Sequence, residues 1–150
     1  MTDILELVRG LSTRNYSTGE VVMEQGSATG SMLVLLEGEV EILRDDVRVA
    51  RSSLAGAVFG EMSILLDCAH TATVRALKPS RFAVVENPRQ FLTSSAPASF
   101  HVAGLLAKRL DALNKYLVDV KRQYDGHDHL GMVDDVLETL MHRQPRPPTR

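Results

Sequence analysis

Between residues 16 and 86 the apolar positions come in short runs, VVM, SMLVLL, VEIL, VRVA, TATVRAL and RFAVV, punctuated by Gly19, Gly26, Gly30, Gly38, Gly56 and Gly60. Runs of this length between turn residues predict β-strands. Two of them have a period of two: Val40 and Ile42 alternate with Glu39 and Glu41, and Val47 and Val49 alternate with Arg48, with Arg51 at the far end. That alternation predicts strands with one face on a core and one in water. Asp45 and Asp46 between them predict a hairpin turn. Many short strands at near-regular spacing predict a mainly β fold, a jelly-roll barrel or β-roll, of the kind that encloses a small ligand.

The flanks have a different texture. Near the start, Ile4, Leu5, Val8 and Leu11 share a helical face that Thr2 can cap, and the polar stretch STRNYSTG ends it. After the strands, Asn87 and Pro88 predict a short helical turn, and Pro97 opens a long helix. Along that helix Ala103, Leu106, Leu110, Leu113, Leu117, Val120 and Tyr124 recur at spacings of 3, 4, 3, 4, 3 and 4. This is a three-heptad seam that calls for a partner, either a second copy of the chain or the chain's own β-domain. Gly126 and Gly131 end the helix, residues 132–143 suit a short amphipathic helix through Met132, Val133, Val136, Leu137, Leu140 and Met141, and QPRPPTR predicts a disordered tail. The expected organisation is one domain: an N-terminal helix over 1–14, a β-roll over 15–96, a long helix over 97–124, and a short helix with tail over 125–150.

Composition narrows the chemistry. A chain of 150 residues with 44% hydrophobic positions buries one core, and 17 basic against 19 acidic residues give a net charge of −2. Nothing global attracts a nucleic acid or an anionic membrane, so any anion site has to be local. Cys68 is the single cysteine, which excludes an internal disulfide and a multi-cysteine metal site and fits a reducing cytoplasm. No apolar stretch approaches the roughly 20 residues of a membrane span, so a soluble protein is expected.

The candidate chemistry lies in FGEMSILLDCAHTATVRA, residues 59–76. A glycine directly before a short apolar turn can aim several backbone N–H groups at one point. Glu61 beside that cradle would repel an anion, so it should accept hydrogen bonds from groups such as ribose hydroxyls. With FGE, the following turn, Thr71-Ala72, the LLEGEVEIL hairpin and the long closing helix, residues 16–124 resemble the cyclic nucleotide-binding domain family. That family includes the catabolite activator protein, protein kinase A regulatory subunits and nucleotide-gated channels. The resemblance implies a phosphate-binding cassette over 59–73, with Gly60 and the Met62 and Ser63 amides on a cyclic phosphate and Glu61 on the ribose 2′-OH. It also implies Thr71 and Ala72 at the end of the cassette, and Leu113 and Asn114 facing the base.

One position departs from the pattern. Many family members carry an arginine nine residues after the glutamate, where this chain has His70. Arginine offers a permanent charge and a planar fork, whereas a neutral histidine offers one N–H. Losing that contact costs about 2 to 4 kcal/mol, roughly 30-fold to nearly 1000-fold in affinity. Either a bound phosphate and Glu61 draw a proton onto His70, or the ligand carries no phosphate. Arg75 is no substitute, since on a continuous strand it points away from the face of His70.

The remaining chemistry is sparse. A heme-containing CO sensor of the same superfamily uses a Cys and a His from nearby positions, so Cys68 and His70 admit heme as a minor alternative. A cupin-type metalloenzyme needs several inward histidines, and the strands offer only His70; His127 and His129 need a third ligand to hold a metal. Ser63, His70 and Glu61 have the residue types of a hydrolase triad without a nucleophile elbow, so no enzyme is expected. Residues 125–150 hold no basic recognition segment, so no direct DNA binding is expected. The expected function is a stand-alone sensor that binds cAMP, cGMP or a related nucleotide or nucleoside, requires no cofactor, and signals to an effector protein through its C-terminal helix. The alternative is a ligand-free module that dimerises through the seam.

Overall fold

The computed structural model describes residues 3–124 and Leu140, which fall into two compact units divided between Leu105 and Leu106. The first unit holds a one-turn helix α1 (Ile4–Leu7) and eight strands: β1 (Thr13–Tyr16), β2 (Val21–Met23), β3 (Met32–Glu37), β4 (Val40–Arg44), β5 (Val47–Ser52), β6 (Val58–Phe59), β7 (Thr73–Ala76) and β8 (Ser80–Val85). Helix α2 (Glu61–Leu66) interrupts the strands after β6, and α3 (Pro88–Ser94) and α4 (Ala96–Gln123) follow β8. Two four-stranded antiparallel sheets result, ordered β1-β8-β3-β6 and β2-β7-β4-β5. First pairs with eighth, second with seventh, third with sixth and fourth with fifth. A chain doubled back at its β4–β5 hairpin and wound into two sheets is a jelly roll, the architecture that the strand spacing predicts.

The core lies between the sheets. Leu33, Leu35, Phe59, Phe82 and Val84 from the first sheet meet Met23, Val40 and Val74 from the second. Phe82 stands at the centre, with the Tyr16 and Phe59 rings edge-on to it at centroid distances of 5.6 and 6.0 Å. The alternate residues Met32, Val34, Ala83 and Val85 are buried as well, as are Ile4, Val8, Leu92, Ala98 and Val102 from the helices. The first sheet is thus closed on both faces, which is why SMLVLL and RFAVV read as continuous apolar runs.

The second sheet differs from its sequence reading. The Asp45-Asp46 turn is present, both residues having positive φ (52° and 63°) as a two-residue hairpin requires, and the Gln25 side-chain amide clasps Asp45. Val47 and Val49, however, are exposed at 63% and 60% rather than half-buried, because β5 is the sheet edge and its register slips between Ile42 and Leu43 of β4. Glu41, on the polar face, is closed over to 4% exposure by Arg75 and Arg48, which close on its two carboxylate oxygens from β7 and β5. The neighbouring Glu39 takes Arg51 and Lys78. The hydrogen bonds of Arg75 and then Arg48 hold the Glu41 carboxyl below its ordinary pKa.

Further corrections are local. The N-terminal helix is a single turn, capped by Asp3 Oδ1 accepting from the Leu5 N–H at 3.2 Å, and Leu11 is 37% exposed; Thr2 lies outside the described residues. Polar STRNYSTG contains β1, a strand that no apolar run announces. Asn87 precedes α3 without a side-chain cap bond, and Ser95 caps α4 by accepting from the Ala98 N–H at 3.3 Å.

In the second unit α4 continues as a helix to Gln123. Leu106, Leu117 and Val120 of the heptad seam are half-buried, whereas Ala103, Leu110, Leu113 and Tyr124 are exposed. The expected helix over 132–143, the tail, and His127 and His129 lie outside the described residues, Leu140 excepted. Among the described residues no helix is long and apolar enough to cross a membrane.

Two measurements check this account. At Gly38 (φ 121°) an added Cβ would sit 2.6 Å from the Ser80 Cα, so Gly38→Ala is expected to lose about 2–4 kcal/mol in urea unfolding. A carboxylate with a lowered folded pKa stabilises the fold above its unfolded pKa and loses that contribution as pH falls through the folded pKa. Glu41→Gln should therefore unfold at lower urea than the parent at pH 7, with the gap narrowing in acid.

Candidate functional site

The stretch 59–76 leaves the roll at β6, turns through α2 and returns as β7. Its entry is set by Gly60, whose φ of 90° is left-handed and which serves as the N-cap position of α2. A Cβ there would meet the Ser31 carbonyl oxygen and the Met23 Cε, each at 2.9 Å, so the site demands glycine twice over, for conformation and for space. Glu61 follows as the first helical residue and is buried to 4% exposure. Ser63 is buried too, its hydroxyl donating to the Gly60 carbonyl at 2.9 Å, which tightens the turn; Met62 is 38% exposed. The helix closes when Asp67 adopts φ 52° and the Cys68 N–H bonds back to the Ser63 carbonyl at 3.1 Å.

The return to the roll is fastened to the β2–β3 loop. Gly26 N–H donates to the His70 carbonyl at 2.8 Å, and His70 N–H donates to the Ser27 carbonyl at 2.9 Å. Gln25 N–H donates to Thr73 Oγ1 at 3.0 Å, while Thr71 and Ala72 between them are half-buried. The His70 ring is 4% exposed, and its Nε2 lies 2.7 Å from Thr29 Oγ1. Burial lowers the pKa of His70 below its ordinary value, so the ring is neutral near pH 7.

Loop 24–31 is therefore the common neighbour of both ends of the cassette: Gly60 abuts Ser31, and His70 abuts Gly26, Ser27 and Thr29. Sequence reasoning missed Thr29, which lies 41 positions from His70. The glycines at 26 and 30 that punctuate the loop are the only trace of it in the pattern.

The arginines of the second sheet are committed to its own carboxylates, while Arg89 lines a cleft with Ser63, Ile64 and Asp67. Arg75 is bound to Glu41, as are Arg48 to the same carboxylate and Arg51 to Glu39. Arg75 is thus held at Glu41, and His70 precedes β7, so the two do not share the continuous strand that the sequence reading assumes. Cys68 is exposed while His70 is buried and bonded to Thr29, so the two members of the Cys-x-His pair occupy different surroundings. The Ser63 hydroxyl is spent on Gly60 rather than on His70, so the triad hydrogen bond is not made. Leu113 and Asn114 belong to the second unit, where Leu113 is 45% exposed and Asn114 Oδ1 is shielded with no partner among the described residues.

A glycine turn, a buried glutamate and a return strand in this order on a jelly roll match a family model, the cyclic nucleotide-binding domain, over residues 13–92, more than half of the sequence. The chain belongs to the cyclic nucleotide-binding domain family. Among curated relatives of this domain, cGMP-dependent protein kinase 2 of Homo sapiens is 32% identical over 74 residues, 49% of this chain and 10% of that protein. Isozyme 1 of the Drosophila melanogaster cGMP-dependent protein kinase is 29% identical over 90 residues, 60% of this chain and 12% of that protein. The domain thus spans about a tenth of the length of these kinases. Among solved structures, the Thermus thermophilus catabolite activator protein superposes with a TM-score of 0.63 at 18% identity, covering 93% of this chain and 81% of that one. The cAMP-bound PfPKA-R gives 0.57 at 18% identity, covering 73% and 36%. At these identities the structural matches establish a shared fold.

A histidine whose folded pKa is lowered destabilises the fold as pH falls, because the unfolded chain takes up the proton first. Stability should therefore drop as pH falls below the ordinary histidine value, and His70→Gln should flatten that part of the curve. Urea midpoints taken between about pH 8 and pH 5 read this directly.

Proposed function

We propose that this domain is a regulatory sensor module that binds cAMP, cGMP or a related nucleotide or nucleoside at the 59–73 cassette. The observation that carries this reading is the family's glycine–glutamate pair in a matching setting: Gly60 at a left-handed turn that admits no side chain, followed by the buried Glu61. In this reading Gly60 and the Met62 and Ser63 amides receive the phosphate or its replacement, and Glu61 receives a ribose hydroxyl. His70, Thr71 and Ala72 form the far wall. The cGMP-dependent kinases among the relatives and the cAMP-bound structural neighbour support a nucleotide as ligand.

Signalling follows from how the cassette is bounded. A cleft of about 580 Å³ lies between α2 and the start of α3, lined by Ser63, Ile64 and Asp67 on one side and Asn87, Pro88 and Gln90 on the other. It leaves α2 room to shift when a ligand fills the cassette, and α3 passes that shift through Ser95 into α4 and so to an effector protein. The exposed Leu110, Leu113 and Tyr124 favour a second reading, in which the seam joins two copies of the chain. Light scattering distinguishes a dimer from a monomer for that reading.

Calorimetry with cAMP, cGMP, adenosine and guanosine at about pH 6 and pH 8 tests the sensor reading. Binding of at least one is expected, with cyclic nucleotide affinity rising at the lower pH as His70 gains a proton. His70→Arg should raise cAMP affinity at pH 8 by roughly 30-fold or more. Absence of heat with all four ligands at both pH values would rule the reading out for this class.

A further inference from the structure

The corner of the cassette where the family carries its arginine holds a hydrogen-bonded chain rather than a cation. Ser31 Oγ donates to Thr29 Oγ1 at 3.3 Å, and Thr29 Oγ1 lies 2.7 Å from His70 Nε2. A hydroxyl has a single proton to give. The Thr29 oxygen can accept from Ser31 and still give its own proton, for which Nε2 is the acceptor within reach among the described residues; that arrangement makes Nε2 the acceptor and leaves the ring proton on Nδ1. Nδ1 has no bonding partner among the described residues, nor is it among their fully shielded unpartnered polar atoms, of which Asn114 Oδ1 is the single case. It is therefore not fully shielded, and its proton is left for a ligand oxygen. Arg48, Arg51 and Arg75 are held by Glu39 and Glu41, and His70 itself makes no ion pair among the described residues.

We propose that Thr29 is a positioning residue that holds His70 as the neutral Nδ1–H tautomer, so that this corner donates one hydrogen bond to an uncharged acceptor oxygen. The favoured ligand is then of the nucleoside class rather than a cyclic phosphate. The ligand half of this inference rests on the sensor reading above; the Thr29 half does not. To meet phosphate with a charged imidazolium, the ring would have to take a second proton and the Thr29 hydroxyl turn from donor to acceptor; without that change phosphate receives one neutral N–H in place of the charge and the fork of donors of an arginine. A ribose or other neutral oxygen needs neither change and can share the site with the buried Glu61 without placing two negative groups together.

Nitrogen-15 imidazole spectra of the full chain test the first half without any ligand. His70 should show a protonated Nδ1 and a bare Nε2 near pH 8. Thr29→Val should shift the ring toward the other tautomer, and Thr29→Ser should restore the parent spectrum. A protonated Nε2 in the parent, or a spectrum that Thr29→Val leaves unchanged, overturns the role of Thr29.

Calorimetry at pH 8 tests the second half. Adenosine or guanosine should bind at least as tightly as its 3′,5′-cyclic phosphate, and Thr29→Val should weaken that binding by roughly 2- to 10-fold, the loss of one hydrogen bond. His70→Arg should reverse the preference. A parent protein that prefers the cyclic phosphate overturns the ligand class even if the tautomer is as expected. If neither kind of ligand binds, the sensor reading and the ligand class fail together, while the spectra still decide Thr29.

Discussion

Two reciprocal backbone hydrogen bonds between Gly26, Ser27 and His70 carry the site. They are not part of any sheet ladder, yet they fix the segment that leads from α2 back into β7 against a loop more than forty positions earlier in the chain. With the close approach of Gly60 to Ser31 at the other end, they pin both ends of the cassette to loop 24–31. An excursion of a dozen residues would otherwise be a floppy insertion between two strands.

The charges of the second sheet complement that arrangement. Glu41 draws Arg75 and Arg48 to the outer face, and Glu39 does the same for Arg51 and Lys78. A paired, partly shielded carboxylate of this kind ties three strands together and is weakened far less by salt than an exposed pair. The same pairing commits Arg75, on the strand that follows the cassette, to the outer face of the sheet, whereas Arg89 shares the cleft lined by Ser63, Ile64 and Asp67.

Much of this was legible in the chain. Alternation and glycine punctuation gave the strands β2, β3, β4, β5, β7 and β8, and the Asp45-Asp46 turn, because each is a local property of a few neighbouring residues. β1 was hidden because TRNY presents only Tyr16 toward the core, and β6 because two residues are too few for a period to show. The exposure of Val47 and Val49 could not be read, since it depends on which strand ends the sheet and on a slip in register. At the site, FGE and the histidine nine residues on were visible as a motif, but the state of that histidine was not. Its partner Thr29 is brought to it by folding alone, and burial, which governs its charge, is a property of the whole roll.

The edge position of β5 has one more consequence. Its backbone offers an unpaired row of donors and acceptors beside two water-facing valines, Val47 and Val49, the combination that invites a foreign strand to add on and seed fibrils. Arg48 stands between those valines and Arg51 follows two positions after them, and the register slip bends the strand out of the flat form that stacking needs. The arginines that close over Glu39 and Glu41 are therefore also gatekeepers, keeping the open border of the sheet from being read by another chain.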